Sequence, residues 1–198
     1  ERLADKGDGH TVYVSGADDA EKVFCEQLPQ NIDLTARDAK AQVAFDPRTV
    51  KQFRLIGYDN RRVADDDFRD DRVDGGEVGP GHTVTALYAV RTKPGAEGHL
   101  ATATVRWQDP ETRAPHEKSA ELETFDDSLR DANTRFQVDA VAAYFADALR
   151  GTYHDERLPG RPSMRELASW ADELGDRTED SAVRQLADSI RQARHLTD

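Results

Sequence analysis

At 198 residues the chain is long enough for one sizeable core, and 33% charged against 37% hydrophobic residues is the balance of a very soluble globular protein. Its 27 lysines and arginines face 39 acids, and the resulting net charge of −12 argues against nucleic acid or an anionic membrane surface as partner. A single cysteine, Cys25, excludes an internal disulfide framework and a cysteine-rich zinc site, and no apolar run is long enough to span a membrane.

The opening Glu1-Arg2-Leu3-Ala4-Asp5-Lys6-Gly7 reads as the end of a helix already under way, so the chain is expected to be a fragment. Val12, Tyr13 and Val14 form a compact β-run, and Ser15 starts a helix with Ala20, Val23, Phe24 and Leu28 on one face before Pro29. Residues 1–29 thus resemble the last β-α unit of an α/β sheet, which cannot bury both faces alone. From Asn31 the period changes to two. Ala39, Ala41, Val43 and Phe45 alternate with Lys40, Gln42 and Ala44, which predicts a strand with the first set buried. Asp46-Pro47 ends it, Arg48 to Gln52 reads as a link, and Arg54 to Tyr58 as the next strand.

An acidic, glycine-rich loop follows, and His82 to Val90 then alternates as a strand. Pro94-Gly95 to Gly98 is a turn. Ala101, Ala103, Val105 and Trp107 alternate with Thr102, Thr104 and Arg106, Asp109-Pro110 turns the chain, and Lys118 to Phe125 closes the series. The last third is helical. Thr134 to Gln137 reads as a capping box ahead of Phe136, Ala140, Val141, Tyr144, Phe145, Ala148 and Leu149, and Gly151 ends that helix. Ser163 to Glu166 is a second capping box for Met164, Leu167, Ala168, Ala171 and Leu174, ending at Gly175. A third helix begins near Asp180 with Val183, Leu186, Ala187 and Ile190. The fold class is therefore α+β: an antiparallel, sandwich-like sheet with C-terminal helices packed on it, plus the N-terminal β-α remnant.

Three runs carry a family resemblance. They are Leu55-Ile56-Gly57-Tyr58-Asp59-Asn60-Arg61, Ala64-Asp65-Asp66-Asp67-Phe68, and Asp74-Gly75-Gly76-Glu77-Val78-Gly79-Pro80-Gly81-His82-Thr83-Val84-Thr85-Ala86-Leu87-Tyr88, with Asp38 to Pro47 as an entry strand. Together they resemble the domain that follows a von Willebrand factor type A domain at the C-terminus of bacterial secreted or lipoprotein-like proteins. The resemblance implies residues 1–29 as the final strand and helix of the type A domain, and 30–198 as the C-terminal domain, β-rich over 33–125 and helical over 133–196. It also implies an extracytoplasmic or cell-envelope location and the parent's type A domain as a partner. The metal-binding Asp-x-Ser-x-Ser loop of type A domains has only a poor counterpart here, Asp126-Asp127-Ser128-Leu129-Arg130, so no adhesion-site metal is expected.

The residues themselves offer few sites. Asp66, Asp67, Asp70, Asp74 and Glu77 form the one calcium candidate, since calcium takes several oxygens from a flexible loop. Against it, Arg72 stands where an EF-hand-like loop from Asp70 needs an oxygen ligand. The stronger reading is a solvated connection in which Arg61, Arg62, Arg69 and Arg72 neutralise the acids. His10, His82, His99, His116, His154 and His195 are too scattered for a metal set, and no Gly-x-Ser-x-Gly elbow, dinucleotide fingerprint or phosphate-loop lysine is present. No catalytic or cofactor residue is nominated. The expected function is a non-catalytic scaffold with an unknown protein partner, the alternatives being a calcium module and, with least support, a hydrolase. A homodimer through residues 1–29 is expected if their apolar faces stay uncovered.

Overall fold

The computed structural model describes residues 12, 14–27, 33–56, 63–123, 128–150 and 162–197. Strands are β1 Ala36–Phe45, β2 Val50–Ile56, β3 Gly76–Val78, β4 Leu87–Thr92, β5 Ala101–Gln108 and β6 Pro115–Leu122. Helices are α1 Ala17–Lys22, continued as a π-helical turn over Val23–Gln27, then α2 Thr134–Leu149, α3 Met164–Thr178 and α4 Ser181–Thr197. The α+β expectation holds, with six strands in two antiparallel sheets and three C-terminal helices.

The chain divides into two compact units. One comprises Glu1–Ala44, Arg62–Val84 and Ala101–Leu122, the other Phe45–Arg61, Thr85–Leu100 and Glu123–Asp198. The first holds a four-stranded sheet in the order β3-β1-β5-β6. β5 and β6 form a regular hairpin running from Ala101↔Leu122 to Gln108↔Pro115. Its turn is built on Asp109, whose Oδ1 accepts from the amides of Glu111 and Thr112 and from the Thr112 hydroxyl, while Arg113 takes the left-handed conformation (φ 58°). β3 pairs with β1 through Ala36↔Val78 and Ala39↔Gly76, with an irregularity between them at which Asp38 adopts φ 50°.

Burial on β1 and β5 only partly follows the expected faces, with Ala101 buried and Val43 and Phe45 half-buried. Lys40 is buried at 6% exposure, whereas Ala41, Ala103 and Val105 are exposed. Lys40 is covered because the acidic segment lies over the face bearing Lys40, Gln42, Arg106 and Glu117 and supplies each with a polar partner. That segment also contains β3, which the sequence pattern concealed within a loop.

The second unit pairs β2 with β4 from Val50↔Thr92 to Ile56↔Leu87. β2 begins at Val50, inside the stretch expected as a link. β4 begins only at Leu87, because His82 closes a turn onto the Gly79 carbonyl and Val84 is 82% exposed with no strand beside it. Phe45 stacks on Phe53 with ring centroids 4.3 Å apart and meets Tyr88 edge-on at 5.4 Å. Helices α2, α3 and α4 enclose a core of Ala140, Val141, Leu167, Trp170, Leu174, Val183 and Ile190, with Leu87 packed against it. Fully burying each leucine or isoleucine contributes about 1.5–3 kcal/mol.

Caps decide the helix ends. Ser163 and Glu166 make the expected box. The N-cap of α2, however, is Asn133, whose side chain accepts from the Arg135 amide, and not Thr134. Gly175 lies inside α3, which runs on to Thr178 and ends at Glu179 in the left-handed conformation (φ 53°). Phe136 and Leu149, placed on the buried stripe of α2, are 42% and 60% exposed. At the N-terminus Val12 and Val14 stand outside any strand and are largely exposed, while Tyr13 lies outside the described residues, as do Tyr58, Gly151, Phe125 and Asp126-Asp127.

Candidate functional site

The polar face of the four-stranded sheet and the segment across it form the densest set of charged contacts in the first unit. Lys40 donates to the Asp70 carbonyl at 2.7 Å, and Gln42 to Asp65 Oδ1 at 3.2 Å. Arg69 grips Glu117 through two parallel bonds of 3.1 and 2.9 Å, the geometry that suits a planar guanidinium against a carboxylate. Arg106, on the strand beside Glu117, reaches Asp71 at 2.8 Å. Phe68 is buried at 3% exposure between these ion-paired positions in the chain. On the far side of the segment the Gly75 amide donates to Asp38 Oδ1 at 3.3 Å, and Arg113 lies 3.6 Å from the same carboxylate.

The five calcium-candidate residues are dispersed along this segment. Asp66 and Asp67 belong to a 3₁₀ turn spanning Asp65–Asp67, and Glu77 sits on β3. Asp70 is turned onto Arg72, accepting from its amide at 2.9 Å and from its guanidinium at 3.0 and 2.7 Å. The Arg72 guanidinium, aided by the Arg72 amide, holds the Asp70 carboxyl far below its ordinary 3.8. The Arg69 guanidinium likewise depresses Glu117. Among the described residues, no three of the His, Cys, Asp and Glu side chains converge as metal ligands.

The other nominated residues fall in different places. His82 closes its turn, the His99 carbonyl accepts from the Thr49 hydroxyl at 2.6 Å, and His116 stacks on Trp107 with centroids 5.6 Å apart. Cys25 is exposed in the π-helical turn. His10 and His154, with Arg61 and Arg62, lie outside the described residues, and the side chain of His195 does too.

In the helical unit the structure gives Gln137 a role other than the expected capping box and reveals Asp147, which the sequence reading passed over. Gln137 is 1% exposed and joins three elements, donating to the carbonyls of Arg130 and Ala132 and accepting from Trp170 Nε1 at 3.0 Å. The Arg130 guanidinium lies 4.0 Å above the Trp170 ring. Asp147, 2% exposed, meets Arg54 of β2 at 2.9 and 3.1 Å. Spacing did hold the signal. Gln137, Ala140, Val141, Tyr144 and Asp147 recur at three- and four-residue steps, which places both polar residues on the stripe that faces the core.

No solved structure matches the chain. A curated relative, "Uncharacterized protein YfbK" of Escherichia coli (strain K12), is 28% identical over 213 residues, covering 96% of this chain. The chain spans 36% of that relative's length. Residues 31–98, which contain β1 to β4 and the ion-paired segment, match the family described as "Uncharacterized protein YfbK, C-terminal".

Proposed function

We propose that this chain is a non-catalytic scaffold module of a longer cell-envelope protein, in which it supports a von Willebrand factor type A domain. One observation carries the reading. Of the calcium candidates Asp70 is committed to Arg72, and beside it Asp71 pairs with Arg106 and Arg69 with Glu117 of the sheet, so the acidic segment acts as a strap that fastens the sheet. A carboxylate already held by an arginine must give up that partner before it can ligate an ion or take a proton from a substrate. The type A partner rests on sequence resemblance, and the location in the cell envelope on the same ground. The relative's greater length agrees with a module that works as part of a larger chain.

The reading is tested by deleting residues 30–198 from the longer parent protein and following thermal unfolding of what remains. The expected result is a lower midpoint for the preceding domain, and an unchanged midpoint would overturn the supporting role. Calorimetry with calcium separates the alternative. No heat and no thermal shift are expected, whereas a saturable heat accompanied by stabilisation would establish the calcium module in place of the scaffold.

A further inference from the structure

The strap covers one face of the four-stranded sheet, while on the opposite face Ala41, Ala103, Val105, Lys118, Ala120 and Leu122 are exposed. Because side chains alternate, Ala39, Ala41 and Val43 of β1, Ala101, Ala103, Val105 and Trp107 of β5, and His116, Lys118, Ala120 and Leu122 of β6 share the face opposite Lys40, Arg106 and Glu117. Ala101 is buried there, and Ala39, Val43 and Trp107 are half-buried. Val105 is 46% exposed and Leu122 is 42% exposed. Among the residues named on this face, none is a carboxylate, although the chain has a net charge of −12, and the charged or titratable ones are Lys118 and His116. The same unit contains a segment of complementary character. Ala17–Gln27 exposes the acids Asp18 and Glu21, and it exposes Phe24 at 63%.

We infer that α1 and its π-helical turn dock on this sheet face of a second copy of the chain, giving a reciprocal dimer. The dimensions agree. Eleven helical residues extend about 16 Å with a diameter of about 10 Å, which fits across three strands spaced about 4.8 Å apart. Small alanines along β1 and β5 leave room for the Phe24 ring, and the exposed acids Asp18 and Glu21 complement Lys118 on that face. The unit also lacks apolar burial of its own. Among its described residues only Phe68 and Ala101 are buried hydrophobics, so covering this face supplies the second layer that a sheet requires. A two-fold arrangement makes both contacts at once and closes the assembly. The inference rests on the helix and the face, not on the type A reading, and its failure would leave the scaffold role standing.

Cys25, the chain's one cysteine, sits next to Phe24 and provides the test. Val105→Cys, oxidised mildly and run on a non-reducing gel, should give a disulfide-linked dimer that the parent chain carrying Cys25 alone does not. An internal disulfide at monomer mass, or no crosslink at all, would overturn the proposal. Ala103→Cys serves as a second position on the same face if the first variant fails to fold. In light scattering, Phe24→Asp should weaken self-association by about tenfold or more, as loss of a buried aromatic anchor does, with unchanged circular dichroism. A parent chain that is monomeric at all concentrations would also refute it.

Discussion

Two glycines set the tolerance of the fold at the residue scale, and they act for opposite reasons. A Cβ on Gly75 would lie 2.4–2.8 Å from the backbone of Asp38, which sits at φ 50° and cannot retreat without disturbing β1. Gly75→Ala should therefore displace the strap and cost about 1–3 kcal/mol, the range for overpacking against backbone, measured by chemical denaturation. A Cβ on Gly175 would meet the Arg184 side-chain stem at 3.2 Å, and that side chain can give way. Gly175→Ala in a helix interior should instead be neutral or stabilising by up to about 1 kcal/mol, whereas Gly175→Leu should push α3 from α4 and destabilise. The sequence suggested a loop at Gly75 and a helix end at Gly175. Glycine marks a place where a side chain does not belong, but only the packing partner shows whether the cause is a turn, a neighbouring backbone or a close helix crossing. Lys40 teaches the same lesson with the opposite sign. Its neighbours alternate in the sequence, yet the burial of Lys40 depends on Asp70, thirty residues away.

At the element scale, polar contacts join β2 to α2 and the strap to its sheet. Arg54 and Asp147 make a buried pair, and the Arg54 Nε is buried without a hydrogen-bond partner. Removing one charge strands the other, so Asp147→Ala or Arg54→Ala should each cost about 3–5 kcal/mol. The double replacement Arg54→Met with Asp147→Leu should recover most of that loss, because desolvation offsets much of the pair's attraction. A double-mutant cycle in urea measures both expectations. The strap responds to pH instead. Arg72 depresses Asp70 from 3.8 and Arg69 depresses Glu117 from 4.5, so both folded-state values lie below the unfolded ones. Their contribution is complete above the unfolded values and is lost as pH falls through the folded ones. Hydrogen exchange or limited proteolysis over 64–75 should thus be unchanged from pH 7 to 5 and accelerate below about 4, with α3 and α4 still protected. Helices were the most legible elements, since their capping residues and apolar stripes lie within one short window. β3 was hidden because three residues, Gly76, Glu77 and Val78, give no period, and their pairing is set by the distant β1.

For the whole molecule, the two units differ in what holds them. The helical unit buries Leu167, Leu174, Ile190 and Val141 completely around Trp170. The sheet unit relies on the β5–β6 ladder, the strap's ion pairs and Phe68. Exposed ion pairs are screened and individually weak, whereas buried apolar area is neither. The sheet unit should accordingly be the first to open. Native-state hydrogen exchange should find the amides of β5 and β6 leaving protection at lower denaturant than those of α3 and α4, and raising salt should lower only the first threshold. Dimer formation adds a concentration dependence, because docking of α1 on the face opposite the strap stabilises the sheet unit by mass action and leaves the helical core untouched. Diluting the protein should therefore lower the opening threshold of β5 and β6 and leave that of α3 and α4 in place. Equal thresholds for all four elements at every dilution would mean that the chain unfolds as one cooperative body and that the face opposite the strap contributes nothing to its stability.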